Sequence, residues 1–315
     1  MVIMGAENMK MNNIRGCDVS ALSLGTVQFG IPYGLNQSAG KPERESCYRI
    51  MDIAREHGVN WLDTAAAYGD SEEVIGGWLK GIPADQAPLV ATKCNALDHT
   101  SLNTLRASLR EQVEQSKKRL GLEQIPLMMI HHCEEYFEDP DNMRQAFEEL
   151  KASGDIRFSG MSAYAFHDYG AIAQSGFDAV QIPVNLFDWR QIDNGGISRL
   201  EEAGMIVFAR SVFLQGLVFR KPDQLSEKMA FTAPVLEKFH AMCEEFQMDP
   251  GVLAMSFALS VPGISSLVIG CRNEAQILRS IQQMEASRQL TAQQMEKIHD
   301  AFHDVDARVI TPSMW

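Results

Sequence analysis

The feature that most constrains this chain is an ordered series of eight short apolar runs separated by stretches of helical periodicity. The runs occupy residues 21–24, 60–63, 89–93, 127–131, 157–161, 179–183, 206–210 and 267–270. Amphipathic stretches at 43–57, 101–120, 143–152 and 196–203 lie between them, and Gly58, Gly121, Gly154 and Gly204 stand where a helix ends on a left-handed residue. Parallel neighbours need a crossover, so strict strand–helix alternation implies a parallel sheet, and eight such units close into a (β/α)8 TIM barrel. One domain over residues 1–315 is expected, because no linker interrupts the alternation and a barrel fills this length. About the first fifteen residues are expected to form an N-terminal cap over the barrel floor, and a C-terminal tail ends at Trp315. The interval 211–266 is too long for one helix; it predicts a loop near 217–232 and helices over 234–247 and 250–259, with a last helix over 292–302.

Composition removes several function classes. A net charge of −13 argues against a nucleic-acid partner, since phosphate recognition needs clustered Lys and Arg. The longest apolar stretches, such as 126–130 and 267–269, fall far short of the roughly 20 residues a spanning helix needs, so no membrane association is expected. The opening MVIMGAENMK lacks a basic region followed by an apolar block, which predicts a cytoplasmic location. Six cysteines without CxxC spacing read as reduced thiols, and the sequon at Asn36 then carries no glycan. The run HHC at 131–133 has no HxH or HExxH beside it, so no metal is expected. The seventeen methionines read as core filling.

In a barrel of this kind, functional side chains stand at the C-terminal ends of strands and in the loops that follow. Asp63 ends the second run in NWLDTAAAYG, Tyr68 follows five residues later, Lys93 ends LVATK, and His131 ends LMMIH. Strand alternation places Leu127, Met129 and His131 on one face and Met128, Ile130 and His132 on the other, so one of the two histidines points into the mouth. A Tyr, Lys, Asp and His converging there make an acid catalyst for carbonyl reduction. A phenol near pKa 10 is a reluctant donor at pH 7, a neighbouring ammonium is expected to lower that pKa, and a carboxylate keeps the ammonium charged. The imidazole orients the substrate oxygen or shares in proton transfer.

These segments resemble the aldo-keto reductase family, in the family's order, over essentially the whole chain. LSLGTVQFG is similar to its first strand, LDTAAAYGDSEEVIG to its Asp and Tyr segment, VATK to its Lys strand and MIHH to its His strand. The resemblance implies a catalytic tetrad of Asp63, Tyr68, Lys93 and His131, a reduced nicotinamide cofactor, and an aldehyde, ketone or sugar reduced to an alcohol. GMSAY and VQIPVN resemble the strands that hold the carboxamide, implying Ser162 and Gln181, and the first-strand segment implies Gly25 and Thr26. FARSVFLQGLV resembles the seventh-strand segment, implying Ser211, Phe213, Leu214 and Gly216 near the pyrophosphate. VIGCRNEAQILRS resembles the adenosine-phosphate loop through Gly270, Arg272 and Gln276. Departures are visible: Ala163 replaces the usual Asn, Arg210 and Ser211 stand where many relatives have Ser and Pro, and Arg279 and Ser280 replace the frequent Glu and Asn.

No GxGxxG follows the first strand and no GxxxxGK occurs, so phosphates must be held by a helix N-terminus after the eighth strand, with Arg272 near its start. Arg272 favours NADP(H) over NAD(H), because a guanidinium grips a 2′-phosphate. Phe29, Tyr33, Trp189 and Trp315 are candidate aromatic walls of a small-molecule pocket, and Asn185 is a further strand-end polar group. Two rival readings remain at this stage: a Schiff-base aldolase using Lys93, and a redox-sensing subunit that binds the cofactor but turns over slowly.

Overall fold

A computed structural model describes residues 9–35 and 40–315; the opening residues and the Asn36 sequon lie outside the described residues. Eight parallel strands close a barrel in which each strand pairs with the next in sequence and the last returns to the first. These are β3 (Leu22–Gly25), β4 (Trp61–Asp63), β5 (Leu89–Cys94), β6 (Ile125–Ile130), β7 (Ile156–Ser162), β8 (Ala179–Pro183), β9 (Ile206–Arg210) and β10 (Ser266–Gly270). All eight predicted runs are strands, displaced at their ends by two residues at most.

Strand alternation divides the apolar residues between two cores. Leu127 and Met129 point into the barrel with Trp61, Ala91, Phe158, Ala179, Ile206 and Phe208. Met128 and Ile130 face outward, against the helices. Outside, the helices end as their sequences dictate. Leu102–Leu120 starts on a Ser101–Thr104 capping box and stops where Gly121 turns left-handed at φ 70°. Pro140–Ser153 begins with proline in its first turn and stops at Gly154, φ 80°.

The floor is closed by a two-stranded antiparallel hairpin, β1 (Met11–Ile14) and β2 (Cys17–Ser20). Cys17 and Val19 enter the inner core, while Asn12 Nδ2 donates to the Ser265 carbonyl at 2.7 Å. This hairpin is the cap expected from the N-terminal segment. In the long interval after β9, short 3-10 segments between Leu214 and Thr232 precede helices Ala233–Phe246 and Pro250–Ser260, close to the predicted spans. Among the described residues no helix is long and apolar enough to cross a membrane.

Candidate active site

The barrel mouth opens into a cavity of about 490 Å³. Of the residues singled out in the sequence, Gly25, Asp63, Tyr68, Gln181, Ser211, Phe213, Gly216, Gly270, Arg272 and Gln276 line it. They come from five different strands and the loops beyond them, so only closure of the barrel brings them together.

At its inner end, β4 and β5 run side by side and present Asp63 and Lys93 to each other. Lys93 is wholly buried, and its ammonium donates to Asp63 Oδ1 at 2.6 Å and to the Thr64 carbonyl at 2.8 Å. Gln181 Nε2 donates to the same carboxylate oxygen at 2.7 Å. The ammonium stands 5.1 Å from the centre of the Tyr68 ring. Burial alone would discharge Lys93, but Asp63 and then Tyr68 hold its pKa above the ordinary lysine range.

The expected lowering of the Tyr68 pKa is corrected by its surroundings. Burial of the phenol is the largest influence and pushes its pKa up, the Lys93 charge opposes this, and Asp63 adds to the rise. The net direction is upward, so the phenol is held protonated, with Lys93 limiting how far the pKa climbs.

Strand β6 ends at Ile130, one residue before the sequence pattern placed its end. Strict alternation therefore does not govern the histidine pair: the His131 and His132 rings stack with centroids 5.1 Å apart instead of diverging. His131 meets the Tyr68 ring edge-on at 5.7 Å. Burial, reinforced by the Lys93 charge, pushes the His131 pKa down to about 3, so the imidazole is neutral at pH 7. Its Nδ1 is buried without a hydrogen-bond partner among the described residues.

Several sequence candidates lie off the cavity. Thr26 is fully buried, and its hydroxyl donates to the Asp63 carbonyl at 2.8 Å, bracing the strand that carries the acid. Ser162 is buried opposite Gln181 in the β7–β8 pairing. Leu214 belongs to the outer core, although its left-handed φ of 42° shapes the loop that carries Phe213 and Gly216. The Asn185 side chain accepts from the Phe187 amide at 3.1 Å and serves the local turn.

Of the four candidate aromatic walls, Tyr33 lines the cavity and the others do not. Phe29 is buried in the outer core, Trp189 packs on Phe257 and His299, and Trp315 lies against the outer core with its Nε1 donating to the Arg308 carbonyl. Their large apolar surface is better buried beneath the helices than at a wet rim. Phe213 and Phe219 stand in the wall beside Tyr33.

At the outer end, helix Glu274–Ala286 begins on Asn273, whose side chain accepts from the Gln276 amide at 2.9 Å. Gln276 Oε1 accepts from the Arg272 amide at 2.8 Å, and Arg272 Nη2 reaches the Gly40 carbonyl at 2.8 Å. The sequence reading missed Gln28. Its Oε1 is buried without a partner among the described residues, and a Cβ at Gly270 would come within 2.5 Å of it. Glycine at 270 thus keeps that polar group open to the cavity. An orphaned acceptor, a glycine-lined wall and arginines beyond it fit an elongated, anionic, hydrogen-bonding cofactor such as a nicotinamide dinucleotide. Among the described residues, no group of three or more His, Cys, Asp or Glu is placed to hold a metal ion.

A family model described as the aldo/keto reductase family matches residues 21–302. An uncharacterised oxidoreductase of Bacillus subtilis, YqkF, is 29% identical over 301 residues, covering 89% of this chain and 92% of that protein. An NADH-specific methylglyoxal reductase of Escherichia coli is 26% identical over 295 residues, covering 84% and 89%. In three dimensions, the holo form of aldo-keto reductase AKR11C1 from Bacillus halodurans superposes with a TM-score of 0.76 at 24% identity, covering 94% of this chain and 97% of that one.

Proposed function

The chain belongs to the aldo/keto reductase family, and from that premise we propose that Tyr68, Lys93, Asp63 and His131 perform its reduction of an aldehyde or ketone to an alcohol. A reduced nicotinamide dinucleotide, when bound, supplies the hydride. The chain's part is to hold the carbonyl oxygen and protonate it. Tyr68 lines the cavity and retains its proton at pH 7 under the influence of burial, so it is the acid. Lys93 makes the phenol's proton available as charge develops on the substrate oxygen, because an ammonium stabilises the phenolate left behind. Asp63 and the Thr64 carbonyl fix that ammonium in place. His131, neutral and set against Tyr68, orients the substrate oxygen without adding a competing charge.

The observation that carries this reading is the buried Asp63–Lys93 pair placed behind a tyrosine that lines the cavity. The same pair weighs against a Schiff base at Lys93, since a nucleophilic amine must be neutral and this one is held charged. Gln181 and Ser162 are proposed to meet the carboxamide, and Gly25, Thr26, Ser211, Phe213, Leu214 and Gly216 to shape the cofactor's bed. Gly270, Arg272 and Gln276 would serve its adenosine-phosphate end. We favour NADPH, on the strength of Arg272 and Arg279 in the outer wall, although one relative is NADH-specific by name.

The test is the pH profile of aldehyde-dependent NADPH oxidation in wild type and Lys93→Met. An acid catalyst loses activity as pH rises through its pKa. Removing the ammonium raises the phenol's pKa, so the falling limb should move to higher pH while the rate drops. A slower enzyme with an unmoved limb would overturn the role given to Lys93.

A further inference from the structure

The charged side chains lining the cavity are Arg210, Arg220, Arg272, Arg279 and Asp63, and Asp63 is already paired with Lys93. An excess of cations there runs against a chain whose net charge is −13. The phosphates of a dinucleotide account for cations at the outer end, where Arg272 bonds to Gly40 and Arg279 stands within the helix that follows, Glu274–Ala286. They do not account for Arg210.

Arg210 ends β9, opposite Pro183 of β8. Its guanidinium reaches across the top of β8 to the end of β7, with Nη2 donating to the Ala163 carbonyl at 3.2 Å and Nη1 to Ser211 Oγ at 3.3 Å. Its carbon lies 4.6 Å over the centre of the Tyr164 ring, which is itself stacked on exposed Phe166. Long contacts to neutral oxygens and a ring face hold the fork without neutralising it, and a guanidinium has five N–H donors to satisfy. Among the described residues, no Asp or Glu forms a salt bridge with it. Burial dominates the raised pKa of Tyr68, but the Arg210 charge is among the influences that pull it back down, and it also acts on His131. The cation therefore lines the same cavity as the proton donor and sits within electrostatic reach of it.

We propose that Arg210, held on Tyr164, is a specificity-determining residue that binds a carboxylate or phosphate carried by the carbonyl substrate itself. This rests on the reductase reading and deepens it, from a carbonyl compound of any kind to an anionic one. A partly desolvated guanidinium pays a continuing cost for lost water, which an oxyanion recovers through charge-assisted, bidentate bonds. A neutral aldehyde does not recover it. Tyr164 and Phe166 are exposed beside the guanidinium, an apolar surface for the part of a substrate that extends past the anionic group.

The experiment compares matched pairs, 4-oxobutanoate against butanal and glyceraldehyde 3-phosphate against glyceraldehyde, in wild type, Arg210→Met and Arg210→Lys. Wild type should favour at least one anionic member at least tenfold in kcat/KM. Arg210→Met should abolish that preference chiefly through KM, and Arg210→Lys should restore part of it. Calorimetric binding of 4-oxobutanoate and glyceraldehyde 3-phosphate to the NADP+-loaded protein reads the same anchor without turnover, with an expected loss of about tenfold or more in Arg210→Met for the favoured anion. An absent preference in wild type, or one that survives in Arg210→Met, would overturn the proposal. So would an equal loss on both members of each pair together with weaker cofactor binding, which would assign Arg210 to the cofactor's phosphates. Anion binding that depends on Arg210 in a protein that reduces nothing would instead sink the reductase reading and leave the anchor standing.

Discussion

The two ends of the barrel are built from the same eight strands and spend their polar groups in opposite ways. At the floor, polar side chains are mostly used on one another, with Trp61 Nε1 the exception and Arg15 of the hairpin turn at a left-handed φ of 52°. Asp178, just before β8, accepts from Arg15 of the hairpin turn at 3.0 Å, from Lys151 at 3.1 Å and from both the amide and hydroxyl of Ser159. Asn60 ties the start of β4 to the hairpin through the Asp18 carbonyl at 2.9 Å and the Ser20 amide at 2.9 Å. At the mouth, Gln28 Oε1 and His131 Nδ1 are buried without partners among the described residues, and Ser211, Leu214 and Gln215 adopt left-handed φ angles of 63°, 42° and 54°. Such backbone costs of order 1–3 kcal/mol per residue and persists where the rest of the fold over-determines it. The floor holds the barrel together. The mouth carries buried polar atoms that no side chain among the described residues uses.

The largest expected effect lies at the mouth. Tyr68→Phe removes one hydroxyl and should lower kcat by roughly 10² to 10⁴-fold, the usual contribution of a positioned acid, with cofactor affinity close to unchanged. Steady-state assays with a fluorescence titration of NADPH check both halves. A variant that keeps more than about half its activity would remove Tyr68 from the chemistry.

The converse belongs to the floor. Asp178→Ala leaves the buried Ser159 amide and hydroxyl without their carboxylate and takes from Lys151 one of its two acidic partners, Glu148 remaining at 2.7 Å, and should cost about 1–3 kcal/mol of stability in urea unfolding. Activity of the folded protein should stay within about twofold of wild type. A large loss of kcat without a loss of stability would break the division between the two ends.

How far this division is legible in the sequence depends on what decides each feature. Strand ends are written locally, in LVATK and NWLDTAAAYG, and the barrel rule then carries Asp63, Tyr68 and Lys93 to one place. The floor hairpin is less visible, because its strands are four residues each and its turn is Arg15–Gly16, not the Asn-Gly or Asp-Gly that marks such turns. The direction of the Tyr68 shift is not a local property at all: burial and charge oppose each other there, and only the packed structure says which prevails. Phe29 and Trp189 misled for a similar reason. A large ring in a loop after a strand can face the mouth or turn beneath the helices, and residue type alone does not distinguish the two.

A smaller effect sharpens the mouth's outer end. Arg272→Ala should weaken NADPH binding by about 1.5–3 kcal/mol, the worth of hydrogen bonds to a charged group, and leave NADH nearly unaffected. Equal losses for the two cofactors in a fluorescence titration would show that Arg272 does not read the 2′-phosphate.

The smallest effect is a slope. Burial, the largest cause, and then the Lys93 charge depress the His131 pKa to about 3, well below the 6.5 of an unfolded histidine. Between those values the unfolded chain binds a proton that the folded chain refuses, so this residue's contribution to stability is complete above pH 6.5 and is lost as pH falls toward about 3. The slope is at most about 1.4 kcal/mol per pH unit for one such group. Replacing His131 with Gln removes the titrating group while keeping a polar side chain, so the acid side of the stability curve should flatten by up to that amount between pH 6 and pH 4. Urea unfolding of both proteins across that range measures the difference directly. Parallel curves would mean that His131 takes up a proton in the folded state as readily as in the unfolded chain, and the mouth would then not be the desolvating, cation-rich environment that sets it apart from the floor.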